Sequence, residues 1–162
     1  MPIRIFVTGG TFDKEYNVAN EQFSFQEPHI PEMLRVSRCA VPTEVTTLML
    51  IDSLEMTDKD RASILEHCQL CAEDRIIITH GTGTILETAR VLGEAVNNKV
   101  IVLTGAVIPF IFDNSDSLFN LGSAFAFVQT LPSGVYVAMN GRYIPWNRAR
   151  RNPETGMLEM VE

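Results

Sequence analysis

Five short aliphatic runs recur along this chain, and nearly all of them stop at threonine, serine or glycine. They are IRIFV (3–7), VTTLMLI (45–51), RIIITH (75–80), KVIVLTGA (99–106) and GVYVAMNG (134–141). Runs this rich in β-branched residues, without polar alternation, belong to strands buried on both faces. Between them lie amphipathic stretches with the caps of helices: TDKDRASILEHCQLCAE from Thr57, TILETARVLGEAV after Gly83 and SLFNLGSAFAFVQTL after Asp116. Strand, helix, strand, helix predicts an α/β fold, an open and mainly parallel sheet with helices on both faces. At 162 residues the chain suits one domain spanning 1–162.

Residues 12–44 fit this rhythm worst, because FDKEYNVANEQFSFQEPHIPEML is polar and rich in turn formers before a short helix-like piece. The stretch reads as a mobile loop at the carboxyl end of the first strand, the edge where open parallel sheets bind ligands. The charged tail RARRNPETGMLEMVE reads as peripheral, with Trp146 ahead of it as a docked anchor.

Charge narrows the partners. With 13 basic against 20 acidic residues the net charge is -7, which opposes nucleic acid and anionic membranes and leaves a small molecule as the expected ligand. No apolar run reaches the roughly 18 residues of a membrane span, and Met1-Pro2-Ile3-Arg4 carries no secretory pattern, so a cytoplasmic location is expected. Cys39, Cys68 and Cys71 are too few for a disulfide scaffold. Cys68 and Cys71 form a C-x-x-C beside His67, but their helical spacing with Ile64 and Leu65 reads as core packing, so no metal site is expected.

The residues just past the strands carry the chemistry. Thr8-Gly9-Gly10-Thr11, Asp52-Ser53, His80-Gly81-Thr82-Gly83-Thr84 and Thr104-Gly105-Ala106 should converge on one edge, glycine admitting a ligand and hydroxyls facing it. GTGT before a helix is also compatible with an anion cradle, though position 86 is leucine where a dinucleotide motif needs glycine, and no P-loop Gly-Lys follows.

TGGTFDKEY, IDSLEMTDKDR, ITHGTGTILETA and NKVIVLTGA together resemble the bacterial-type L-asparaginase family, in order from residue 3 to 125, and GVYVAMNGRYIPWNRARRNPETG extends the likeness. In length the chain is similar to short members that lack the usual C-terminal domain, so the fold implied is that of the family's N-terminal domain. The resemblance implies hydrolysis of the side-chain amide of L-asparagine or a similar ω-amide through a threonine acyl-enzyme, with no metal or organic cofactor. Thr11 matches the nucleophile, Thr82 the second threonine, and Lys99 the lysine that polarises it or activates water. Ser53 matches the serine that holds the substrate α-carboxylate. Tyr16 is the candidate base for Thr11, and backbone N–H groups near Gly10, Gly81 and Thr82 are candidate donors to a carboxylate or oxyanion.

One position departs from the family pattern. Gly83 stands where HGTDT has an aspartate that holds the α-ammonium. Either Asp13, Asp52, Asp113 or Asp116 replaces that charge, or the substrate has no ammonium. The alternative class is a noncatalytic protein that binds a small carboxylate or amino acid on the same fold. A homodimer or higher homo-oligomer is expected, with the Phe23–Met33 loop of a neighbour as a lid.

Overall fold

The computed structural model describes residues 1–162. In chain order the elements are β1 (Ile3–Gly9), β2 (Lys14–Asn17), β3 (Gln22–Phe25), α1 (Ile30–Val36), β4 (Thr43–Ile51), α2 (Asp58–Leu70), β5 (Arg75–Thr79), α3 (Ile85–Ala95), β6 (Val100–Thr104), α4 (Ser117–Thr130), β7 (Gly134–Met139), β8 (Arg142–Pro145), β9 (Ala149–Arg151) and β10 (Leu158–Met160). Six strands form one sheet in the order β4-β1-β5-β6-β7-β8. All its pairings are parallel except β7 with β8. The expected α/β sheet is therefore present, and β8 adds an antiparallel edge. Pro145 sits on that edge, where a missing N–H costs no ladder bond.

Side-chain alternation along the strands sorts the core into two layers. Ile76, Ile78, Ile101, Leu103, Val135 and Val137 point one way and pack on Ile64 and Cys68 of α2 and Ile85, Ala89 and Leu92 of α3. Ile5, Ile77 and Val102 point the other way, onto Ile30 and Met33 of α1 and Leu121, Ala124 and Val128 of α4. Helices cover both faces, which is why these strands read as unbroken apolar runs. Each fully buried isoleucine contributes about 1.5–3 kcal/mol. α2 starts at a capping box, in which the Asp60 N–H donates to Thr57 Oγ1 at 3.3 Å and the Thr57 N–H to Asp60 Oδ2 at 2.8 Å. No helix is long and apolar enough to cross a membrane.

Two segments differ from the sequence expectation. Residues 12–44 are not one irregular loop ahead of the expected short helix, α1: β2 and β3 form an antiparallel hairpin, with Tyr16 opposite Phe23. The tail pairs β9 with β10. Cys68 is fully buried in the core, where burial pushes its thiol up to about 12, and Cys71 is half-buried at the end of α2. Both match their reading as packing residues.

Candidate active site

Because β1, β5 and β6 run parallel, their carboxyl ends share one edge, and the loops that leave them meet there. The closest approach joins Gly10 to Gly81. Gly10 has φ of 77°, which favours glycine, and a methyl group on it would lie 2.4 Å from the Gly81 amide nitrogen. A methyl on Gly81 would in turn lie 2.5 Å from Ser53 Oγ. The loops after β1, β4 and β5 thus touch through positions where a side chain does not fit. Thr11 is half-buried at the start of a single 3-10 turn, Thr11–Asp13, next to Gly10. Thr82, also half-buried, follows Gly81.

Ser53 is 2 % exposed and fixed from below. The Thr84 N–H donates to Ser53 Oγ at 3.2 Å, and Thr84 Oγ1 donates to the Ser53 carbonyl at 2.8 Å. Thr84 is held in turn by buried Arg61, whose Nη2 donates to Thr84 Oγ1 at 2.8 Å. Arg61 Nε donates to Thr88 Oγ1 at 3.1 Å and Nη1 to the Met56 carbonyl at 3.1 Å. Beside them His80 is fully buried, and desolvation pushes its pKa down to about 4, so the ring is neutral at pH 7. Its Nδ1 lies 2.8 Å from the Gly81 carbonyl, which only accepts, so Nδ1 carries the proton and Nε2 accepts from Thr88 Oγ1 at 2.7 Å.

Gly10, Thr11, Ser53, Gly81, Thr82 and Gly83 therefore come together on abutting loops. Gly83 is exposed and lies outside the left-handed region, and a methyl there would sit 3.0 Å from Leu54 Cδ2 and 3.2 Å from Ser53 Oγ. Tyr16 stands on the hairpin, 45 % exposed, its ring edge-on to Phe23 with 5.5 Å between centroids. Phe23 packs similarly on Phe112, from the loop after β6, at 6.0 Å.

Lys99 is a correction. It immediately precedes β6, and in a parallel sheet the residue before a strand lies at the amino edge, a strand's length from the loops that hold Thr11 and Thr82. There, 7 % exposed, Lys99 Nζ donates to the Cys71 carbonyl at 2.6 Å. Thr8 and Thr104 are corrected too. Both are fully buried, with hydroxyls donating to neighbouring strands, Thr8 to the Thr79 carbonyl at 2.7 Å and Thr104 to the Ala138 carbonyl at 2.8 Å.

The cation that does reach the site is Arg151 of β9, whose Nη2 donates to the Thr82 carbonyl. Its arm is seated by Trp146, whose ring lies where a Cβ on Gly93 of α3 would be, 2.2 Å from Trp146 Cδ2. Sequence reading passed over Arg151 because nothing local tied the tail to Thr82.

The carboxylates proposed to replace the one absent at Gly83 are mostly engaged. Asp52 pairs with Lys14 Nζ at 2.8 Å and caps the Leu54 N–H at 2.9 Å, and the lysine holds its carboxyl below the usual range. Asp116 accepts from the Val107 and Ile108 N–H groups. Asp13 is fully buried, accepts the His29 N–H at 2.7 Å through Oδ1, and leaves Oδ2 without a partner. Burial raises its pKa to about 6. Asp113 is exposed on the loop beyond Phe112.

Comparison with known proteins bears on the family and the fold. The family model described as "Asparaginase, N-terminal" matches residues 2–158. An L-asparaginase of Thermococcus kodakarensis is 35 % identical over 86 residues, covering 52 % of this chain and 26 % of the relative. A probable periplasmic L-asparaginase of Haemophilus influenzae is 28 % identical over 156 residues, covering 88 % and 44 %. In fold, the thermostable L-asparaginase from Thermococcus kodakarensis superposes with a TM-score of 0.84 at 24 % identity, over 99 % of this chain and 51 % of that one. The matched region spans about half of these relatives' length or less.

Proposed function

The chain belongs to the asparaginase family, and on that premise we propose that it is an amidohydrolase that cleaves the ω-amide of asparagine or a similar small acid to the carboxylate and ammonia. Thr11 Oγ1 attacks the amide carbon, and as the hairpin closes over the ligand the Tyr16 hydroxyl accepts the Thr11 proton while passing its own to the amide nitrogen. The tetrahedral intermediate expels the amine, which leaves as ammonia after receiving that proton. Water then cleaves the threonine ester, freeing the acid and restoring the hydroxyl. Backbone N–H groups at Gly81 and Thr82 receive the developing oxyanion, a contribution of about 3–4 kcal/mol per donor in comparable sites, whereas the Gly10 N–H is committed to the Ile51 carbonyl at 3.1 Å. Ser53 holds the substrate's carboxylate. Arg151 acts by fixing the Thr82 loop through its bond to the Thr82 carbonyl.

The reading is supported chiefly by the backbone contact of Gly10 with Gly81, which sets the loops of Thr11 and Thr82 against each other. No metal or organic cofactor takes part in these steps. A homodimer or higher homo-oligomer belongs to the same proposal, with light scattering as its check.

A second reading is favoured by one observation, the distance of Lys99 from the site. Without a lysine at Thr82 the pocket is also suited to binding a small carboxylate with no turnover. Ammonia release from a panel of ω-amides, beside calorimetric titration of the matching acids, separates the two. Release that Thr11→Val abolishes supports the enzyme, and acid binding with no turnover of any amide supports the binding protein.

A further inference from the structure

Arg61 is a buried cation without a carboxylate partner. It is 7 % exposed, and all three of its hydrogen bonds go to neutral oxygens, of Thr84, Thr88 and Met56. Burying a guanidinium among neutral groups is costly unless an anion compensates it. Such a charge marks where an anion belongs.

Two hydrogen-bond chains carry that charge to the loops of the site. In the first, Arg61 donates to Thr84 Oγ1, and Thr84 donates to the Ser53 carbonyl and, through its N–H, to Ser53 Oγ. In the second, Arg61 donates to Thr88 Oγ1, Thr88 to His80 Nε2, and His80 Nδ1 to the Gly81 carbonyl. Every donor points away from Arg61, so both chains are polarised in one sense, and each strengthens the next link. His80 transmits the polarity without adding a charge because it is neutral.

No carboxylate on these loops pairs with Arg61. Asp52 is paired with Lys14, Asp13 is sealed against the His29 N–H, and position 83 has no side chain. Arg151 adds a second guanidinium at Thr82. An ammonium group bound here would meet two cations, with the carboxylates next to Ser53 and Thr11, Asp52 and Asp13, already engaged.

We propose that the ligand of this site is a small acid ω-amide that lacks an α-ammonium group, of the succinamate type, and that Arg61 sets this preference as a positioning residue acting through Ser53 and Gly81. The assignment rests on the amidohydrolase reading of the same site. The dicarboxylate product fits the same field, its two negative charges balanced by Arg61 and Arg151.

The test compares ligands that differ only in the ammonium. Calorimetric titration of the unmodified protein with succinate and with L-aspartate should show succinate at least tenfold tighter, and ammonia release should favour succinamate over L-asparagine by a similar factor in kcat/KM. Arg61→Met should reduce the binding preference below threefold. Arg61→Lys, which keeps the charge, should retain most of it, a rescue that a merely structural role does not give. If Arg61→Met does not fold, the lysine variant and the ligand comparison decide. Equal or tighter binding of L-aspartate overturns the proposal, as does binding of neither acid. Succinate preference without ammonia release from any amide leaves the ligand assignment standing and removes the amidohydrolase reading.

Discussion

Lys99 Nζ sits 2.6 Å from the carbonyl oxygen of Cys71, at the amino edge of the sheet and away from the loop that carries Thr11. A lysine in that position ties the end of α2 to the start of β6. Lys99→Met should therefore leave ammonia release per folded molecule within about twofold, while stability falls by about 1–2 kcal/mol for the lost bond to the carbonyl. Urea unfolding and a coupled ammonia assay on one preparation check both. A rate loss of several orders of magnitude with unchanged stability would place Lys99 in the chemistry after all.

Thr11→Val removes a hydroxyl and keeps the shape of the side chain. Ammonia release should fall to background and the melting temperature should stay within a few degrees. Turnover near that of the unmodified protein would exclude Thr11 as the nucleophile.

Gly83→Asp adds a carboxylate at an exposed turn whose backbone lies outside the left-handed region. Leu54, the nearest neighbour of the new Cβ at 3.0 Å, is 76 % exposed and free to move aside. The variant should gain affinity for L-aspartate by about tenfold, the scale of one charge-assisted hydrogen bond. Calorimetry at fixed salt measures it, with a melting curve to confirm folding. An equally stable variant with unchanged affinity would mean that another group already receives the ammonium.

Asp13 should leave a signature in stability against pH. Burial raises its pKa from 3.8 to about 6, so between those values the folded chain holds a proton the unfolded chain has lost. Stability contributed by this group is therefore complete below about pH 4, declines as pH rises to about 6, and is level above. Asp13→Asn keeps the acceptor for the His29 N–H and removes the titration. Urea unfolding at four values from pH 4 to 7 should show the variant gaining on the parent as pH rises, by up to about 3 kcal/mol at pH 7. Parallel curves for the two proteins would show that Asp13 does not titrate in this range.

The parts of the fold legible in sequence were those set by local pattern. IRIFV, RIIIT and VIVLT are buried on both faces, so their lack of alternation was informative, and Thr57 marked the start of α2. The glycines after the strands were legible because close backbone approach leaves room for nothing else. Lys99 was misplaced for want of one topological step: a residue ahead of a parallel strand cannot share an edge with a residue behind its neighbour. Arg151 was hidden because β9 and β10, at three residues each, are too short to show a period, and its partner lies 69 positions earlier. Arg61 stands in the polar run TDKDR, and only tertiary packing shows it facing inward. The hairpin of residues 14–25 is short and half-polar, so its alternation was lost among turn formers.

The seat of Trp146 on Gly93 makes α3 a ruler. Gly93 lies eight residues after Ile85, about 12 Å along the helix axis, and the loop of Thr82 joins the near end of that helix. The far end of the same rigid rod carries the indole that anchors the tail. The gap between the guanidinium of Arg151 and the Thr82 carbonyl is thereby calibrated by helix length, not by the flexibility of the tail itself. A single methyl at position 93 would lift the indole off its bearing and throw the arm out of gauge, with every residue of the pocket left chemically intact.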